Sequence, residues 1–281
     1  SLKAKVLVTA ASPLFNGNND QATLKNHDGT PLFDTSFKSE KWDSAMVACK
    51  EAIDICHEAG IMLYRYEDAA DRYNDTTVLN VTLRNAFNLR SNSEIIWANT
   101  QMISIPGNGG MIHASMAKLN PDYINSNDIC KWLGMPIKIA EMFYTENGVP
   151  LNEDKTRNIG DLYNLRKAQA KDRFYIRQGR TTVDMHFERE PRFYAWVGFD
   201  GGVWFGAGQY EAQLNAINSI SSPSYAWPIM RLSDLYLLYA EAINETEGPN
   251  GAHSSELFQY IDLVRARAGL QGVKESWDTY T

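Results

Sequence analysis

The residues of this sequence best suited to chemistry are aromatic, and the chemistry they suit is binding. Seven Trp and fourteen Tyr are present. A flat ring can stack on the C–H face of a pyranose. Asn, Asp, Arg or Gln beside it can match the sugar's hydroxyls, which would otherwise be buried without hydrogen bonds. The densest group is Tyr194, Trp196, Phe199, Trp204 and Phe205, flanked by Asp200 and Gln209. Residues 193–199 alternate as a strand would, which puts Tyr194 and Trp196 on one face, toward the core. Trp204 and Phe205 follow the glycine turn Asp200-Gly-Gly202, so at least one is expected at the surface; loop packing is the competing use. Trp132 follows the polar stretch Asn125–Asp128. Tyr225 and Trp227 border an apolar helix, where burial competes with display. The ligand-binding candidates are therefore Trp204, Phe205, Trp132, Tyr225, Trp227 and Gln209. Trp42 lies on a helical stripe and is expected in the core.

Catalytic constellations are not signalled. The five histidines, His27, His57, His113, His186 and His253, include no pair at i, i+3 or i, i+4, so no zinc site is indicated. Among 34 acidic residues, Asp184, Glu188, Glu190 and Asp200 are the closest group for paired-carboxylate glycoside hydrolysis, with solvated charge as the competing reading. Gly107-Asn-Gly-Gly110 and the glycines at 201, 202, 206 and 208 fit neither a phosphate loop nor a dinucleotide fingerprint. Asn16-Gly-Asn-Asn-Asp20 lacks EF-hand spacing. Cys49 and Cys56 are two helical turns apart, about 10 Å along the axis, too far for a disulfide within one helix. With Cys130 they make an odd set, read as buried small hydrophobes rather than reactive thiols or metal ligands. No catalytic residue, metal ligand or cofactor is assigned.

Composition narrows the partners. The chain has 281 residues, 44% hydrophobic and 22% charged, the balance of an ordinary folded protein. A net charge of −7 argues against nucleic acid, because a phosphate backbone needs a basic face. No apolar run approaches the ~20 residues of a membrane-spanning helix.

The elements that must position these residues follow from periodicity. Apolar stripes predict helices over 2–12, 40–59, 78–90, 136–144, 229–244 and 255–268. Ser12-Pro13 ends the first, Gly60 the second and Gly269 the last. Residues 229–244 are apolar nearly all round, which predicts a buried helix. Residues 93–97 read as extended, Asn147-Gly148 as a turn, and 16–36 and 105–133 as loops. The picture is one of helical hairpins at both ends, 1–60 and 225–270. They enclose a loop-rich lobe, 61–224, that is expected to face ligand.

The second hairpin carries a resemblance. Pro228-Ile-Met-Arg-Leu-Ser-Asp-Leu-Tyr-Leu-Leu-Tyr-Ala-Glu-Ala-Ile-Asn-Glu245, followed by Ile261-Asp-Leu-Val-Arg-Ala-Arg-Ala-Gly-Leu270, resembles the SusD/RagB family. Asp262 stands where that family usually has Asn. Three weaker matches keep the family's order: Lys3 to Asn16, Ser93-Glu-Ile-Ile-Trp97, and Glu188-Arg-Glu-Pro-Arg-Phe-Tyr194 with Asp200-Gly201. The resemblance implies a single mainly α domain over 1–281, with a tetratricopeptide-like helical hairpin scaffold, an irregular lobe and a few short strands. It implies a cell-surface lipoprotein of the outer membrane of a Bacteroidetes-type bacterium. Such a protein would bind an oligosaccharide without catalysis and pass it to a SusC-like TonB-dependent transporter. Some members bind peptides instead, and a tetratricopeptide-like protein-binding adaptor is a further alternative. The family's amino-terminal signal, its lipid-anchoring cysteine and its usual carboxyl-terminal segment are not in this sequence, which reads as a fragment or trimmed member. Arg231 and Glu241 lie on the match, and scaffold hydrogen bonds and salt bridges are the expected role for both. The family's ligand residues vary between members, so none is carried over.

Overall fold

The structure is a computed structural model, and it describes residues 1–67, 71, 73–100, 133–199, 201–203 and 226–281. Among these, eight α-helices follow in order: α1 (Leu2–Ala11), α2 (Glu40–Glu58), α3 (Asp75–Asn88), α4 (Ile137–Glu141), α5 (Pro191–Trp196), α6 (Leu232–Glu247), α7 (Ser254–Arg267) and α8 (Val273–Tyr280). The strands are short: β1 (Ile95–Asn99), β2 (Leu165–Lys167), β3 (Thr181–Val183) and β4 (Trp227–Arg231). β1 pairs with β4 and β2 with β3, giving two two-stranded sheets. The protein is mainly helical, as the apolar periods predict. No described helix is long and apolar enough to cross a membrane.

The chain divides into two compact units. The first comprises Ser1–Leu63, Ser91–Ala98 and Pro228–Arg265. In it α1 packs on α2, and α2 on α6. Close approach is possible because the buried cluster mixes small and large side chains, Ala4, Ala45, Cys49 and Ala52 with Trp42, Ile53, Leu235 and Ile243. Trp42 is core, as its stripe requires, and both described cysteines are buried free thiols. Helix α2 stops where Gly60 adopts φ +77°. The Ile61 N–H then reaches back to the Cys56 carbonyl at 2.9 Å and the Gly60 N–H to that of His57, the paired bonds of a Schellman stop.

The second unit comprises Tyr64–Arg90, Asn99–Trp227 and Ala266–Thr281. Its core gathers Leu162, Ile176, Met185, Phe187, Phe193 and Tyr194, with Tyr175 stacked on Tyr194 at 3.9 Å. α3 meets α5 through Leu83, Ala195 and Ala268. The hairpin register pairs Leu165 with Val183, Arg166 with Thr182 and Lys167 with Thr181. The Asn147-Gly148 turn forms, with φ +77° at Gly148 and its N–H on the Thr145 carbonyl.

Two expectations are corrected. Residues 193–199 are not a strand: Pro191, its φ preset for a first helical turn, opens α5, and only 197–199 are extended. Tyr194 and Trp196 therefore do not share a face; Tyr194 is buried and Trp196 is 46% exposed. The helix read over 229–244 begins only at Leu232, because 229–231 belong to β4. Helix α8 was not anticipated. Its Trp277 packs edge-on against Tyr144, and the Tyr280 carbonyl accepts the Lys155 N–H.

Candidate functional site

Of the charged residues that stand out in the sequence motifs, Glu94, Arg189 and Glu190 are buried and Arg231 partly so. Glu94 is fully buried; its carboxylate accepts the Ser233 hydroxyl and pairs with Arg231 at 3.4 Å. Its main chain takes part too, with its N–H on Asn92 Oδ1 and its carbonyl accepting the Leu232 N–H. Arg231 is thus a scaffold residue, whereas Glu241 is exposed. In the second unit Arg189 is 2% exposed and donates to the carbonyls of Ala140, Phe143, Tyr144 and Met185. Burial holds its guanidinium down to about 10. Glu190 accepts the Tyr144 N–H and pairs with Arg192.

The carboxylates grouped by sequence spacing are tied to cations rather than to each other. Arg157, nearly buried, spans Asp184 at 3.0 Å and Glu188 at 2.8 Å. Arg166 does the same at 2.9 and 2.8 Å while lying over the Phe187 ring, and Lys171 adds a third cation to Glu188 at 3.0 Å. The hydrogen bond from Arg166 brings the Glu188 carboxyl down to about 2. Glu146, exposed at its edge, is pushed above the ordinary range by partial burial and by Glu188. Glu188, held that low, stays ionised near neutrality and cannot serve as a proton donor to a glycosidic oxygen. The geometry around Asp184, Glu188 and Glu190 is that of an ion-pair network. Asp200 lies outside the described residues.

Of the six ligand candidates, Trp204, Phe205, Trp132, Tyr225 and Gln209 lie outside the described residues. Trp227 is described: it is 46% exposed, and the Phe87 ring meets it edge-on at 5.4 Å and 87°. This contact steadies the indole while leaving ring surface open. Two further Trp rings are displayed that the sequence reading did not select. Trp97 on β1 is 51% exposed, and Trp196 at the end of α5 is held by Phe143 at 6.4 Å. Alternation along Ile95-Ile-Trp97 could have pointed to the first, since Ile96 packs on the core and its neighbour must turn away. Trp196 was hidden by reading a helical turn with a strand's period.

The described residues thus define a mainly helical protein that keeps its motif side chains inside and presents aromatic rings outside. The SusD family model matches residues 93–223 and 215–281. That is more than half of the sequence, and the chain belongs to the SusD family. Among solved structures it resembles BT4246, with a TM-score of 0.71 and 20% identity over 97% of this chain and 53% of that one. The selenomethionine form of BT4246 gives a TM-score of 0.72 and 21% identity over 97% and 55%. The likeness is one of fold, and the chain spans little more than half the length of those structures. No curated protein matches it.

Proposed function

We propose that this protein is a non-catalytic capture module that holds an oligosaccharide at the bacterial cell surface and passes it to a SusC-like TonB-dependent transporter. The observation that carries the reading is membership of the SusD family over residues 93–281. Display of half-exposed Trp rings supports it, because sugar recognition without chemistry asks for open ring faces. In this reading the protein is an outer-membrane lipoprotein held by a lipid anchor outside this sequence. The helical segments 1–60 and 225–270 are its scaffold, and 61–224 is the lobe that faces ligand. Trp204, Phe205, Trp132, Tyr225, Trp227 and Gln209 are the proposed contacts.

Calorimetry of the chain against a panel of oligosaccharides and peptides tests this. Binding of at least one oligosaccharide is expected, weakened several-fold, about 1 kcal/mol, by Trp227→Ala. Tight binding to a peptide with none to any oligosaccharide moves the protein to a peptide-binding role. An unchanged affinity in the variant removes Trp227 from the site.

A further inference from the structure

On a chain of net charge −7, residues 165–180 carry six cations, Arg166, Lys167, Lys171, Arg173, Arg177 and Arg180, against one acid, Asp172. That acid is used locally, accepting the Gln169 N–H at 2.7 Å. The β2–β3 hairpin sorts the cations into two sets. Arg166, opposite the buried Thr182, turns inward and is consumed by Asp184 and Glu188, and Lys171 pairs with Glu188. Lys167, opposite Thr181, is exposed, as are Arg173, Arg177 and Arg180. None of these four has a carboxylate within ion-pair distance among the described residues.

The backbone brings these four exposed residues to one end of the hairpin. The Ala168 N–H donates to the Arg180 carbonyl at 2.8 Å and the Gly179 N–H to the Ala168 carbonyl at 2.9 Å, so Lys167 and Arg180 flank one pair of bonds. The turn closes from the Arg180 N–H to the Arg177 carbonyl at 3.0 Å, with Gly179 at φ +82° supplying the left-handed step. Arg177 is anchored in turn, its N–H on the Gly201 carbonyl at 2.9 Å. The Arg173 guanidinium carbon lies over the Phe174 ring at 4.4 Å from its centroid, so charge and apolar ring sit together. The next backbone link, from the Val203 N–H to the Tyr175 carbonyl at 2.8 Å, ties this turn to the residue that precedes Trp204 in sequence.

Resting on the oligosaccharide reading above, we infer that this end of the hairpin is a subsite for the anionic groups of an acidic oligosaccharide, carrying uronate carboxylates or sulfates. Guanidinium forks match both oxyanions in bidentate fashion, and a lysine adds a point charge. With no carboxylate paired to them among the described residues, Lys167, Arg177 and Arg180 keep their charge for a ligand, while Arg173 also donates to the Ala170 carbonyl at 3.1 Å. A nucleic acid fits less well: its duplex lays charge along a track of about one per 1.7 Å, and a chain of net charge −7 repels so long a polyanion. A short glycan sets its charges apart, among apolar ring faces.

The test is calorimetry of the full 281-residue chain against a galacturonate oligosaccharide, a chondroitin sulfate oligosaccharide, a neutral maltooligosaccharide and a single-stranded DNA oligomer. Lys167→Gln, Arg177→Gln and Arg180→Gln are made singly and together. At least one acidic glycan is expected to bind more tightly than the neutral one, with affinity falling as salt is raised. The triple variant is expected to lose about tenfold or more while its thermal unfolding is unchanged. If the triple variant unfolds, the single variants must show the same loss in smaller steps. The carboxylate and sulfate arms tell the two anions apart. Equal binding of the neutral sugar, or an unaltered affinity in the variants, overturns the inference and leaves the oligosaccharide reading standing. DNA binding as tight as the glycan's overturns it as well, since charge alone would explain the result. Failure of every sugar to bind overturns both.

Discussion

Glu188 is a non-glycine residue in the left-handed region, φ +53°, and its side chain meets Arg157, Arg166 and Lys171. The cations hold in place a backbone conformation that costs energy on its own. Its carboxyl titrates at about 2 in the folded protein against an ordinary 4.5. Because the folded value lies below the unfolded one, the stabilisation is complete above about pH 4.5. It is lost as pH falls toward 2. Partial solvent contact reduces the contribution to about 1–2 kcal/mol. Acid unfolding followed by Trp fluorescence is expected to be shallower in Glu188→Gln across that window; an identical profile would show that the ion pairs add nothing. The carboxylates' spacing was legible in the sequence, but not their commitment. Arg157 and Arg166 lie 31 and 22 residues from Glu188, beyond any local pattern.

At the scale of elements, the helices were the readable part. α2 and α7 show a 3.6-residue apolar stripe and end close to where Gly60 and Gly269 predict, whereas α6 runs on to Glu247, past the expected end at 244, and leaves Leu237 and Glu241 exposed on one side. Short elements were less so: α5 has six residues, too few for a period to declare itself, and Pro191 was the better guide. The junction of β1, β4 and α6 depends on one buried acid, Glu94, which serves Arg231, Ser233 and the Leu232 N–H together. Glu94→Ala leaves Arg231 without that partner and the Ser233 hydroxyl buried without it. We expect a loss on the order of 2–4 kcal/mol in urea unfolding, with a smaller loss in Glu94→Gln, which keeps an acceptor. Equal stability of wild type and alanine variant would rule out the junction as a structural clamp.

For the molecule as a whole, Cys49 and Cys56 report on global opening. Both are buried in the first unit's core; burial pushes the Cys49 thiol up to about 12 and that of Cys56 in the same direction. Peptide-mapped alkylation near neutral pH should be slow at both positions in the native protein and fast in urea. Rapid native labelling of either would place it outside the core. Their spacing of two helical turns had already argued against a disulfide between them, and both are free thiols.

Periodicity and motif by themselves determined the mainly helical class, the principal helices and the family, because each is encoded by residues close together in the chain. Tertiary structure decided which polar residues are spent and which remain available. Glu94 meets Ser233 across 139 positions, and Arg189 reaches carbonyls up to 49 residues away, so their interior roles have no local signature. Neighbours Arg166 and Lys167 look alike in sequence, yet the alternation of one strand sends the first into the ion-pair network and leaves the second at the surface. The aromatic rings that suggested binding divide by the same rule. Tyr194 is stacked inside, while Trp97, Trp196 and Trp227 are left open, because burial is set by what packs against a side chain and not by its type.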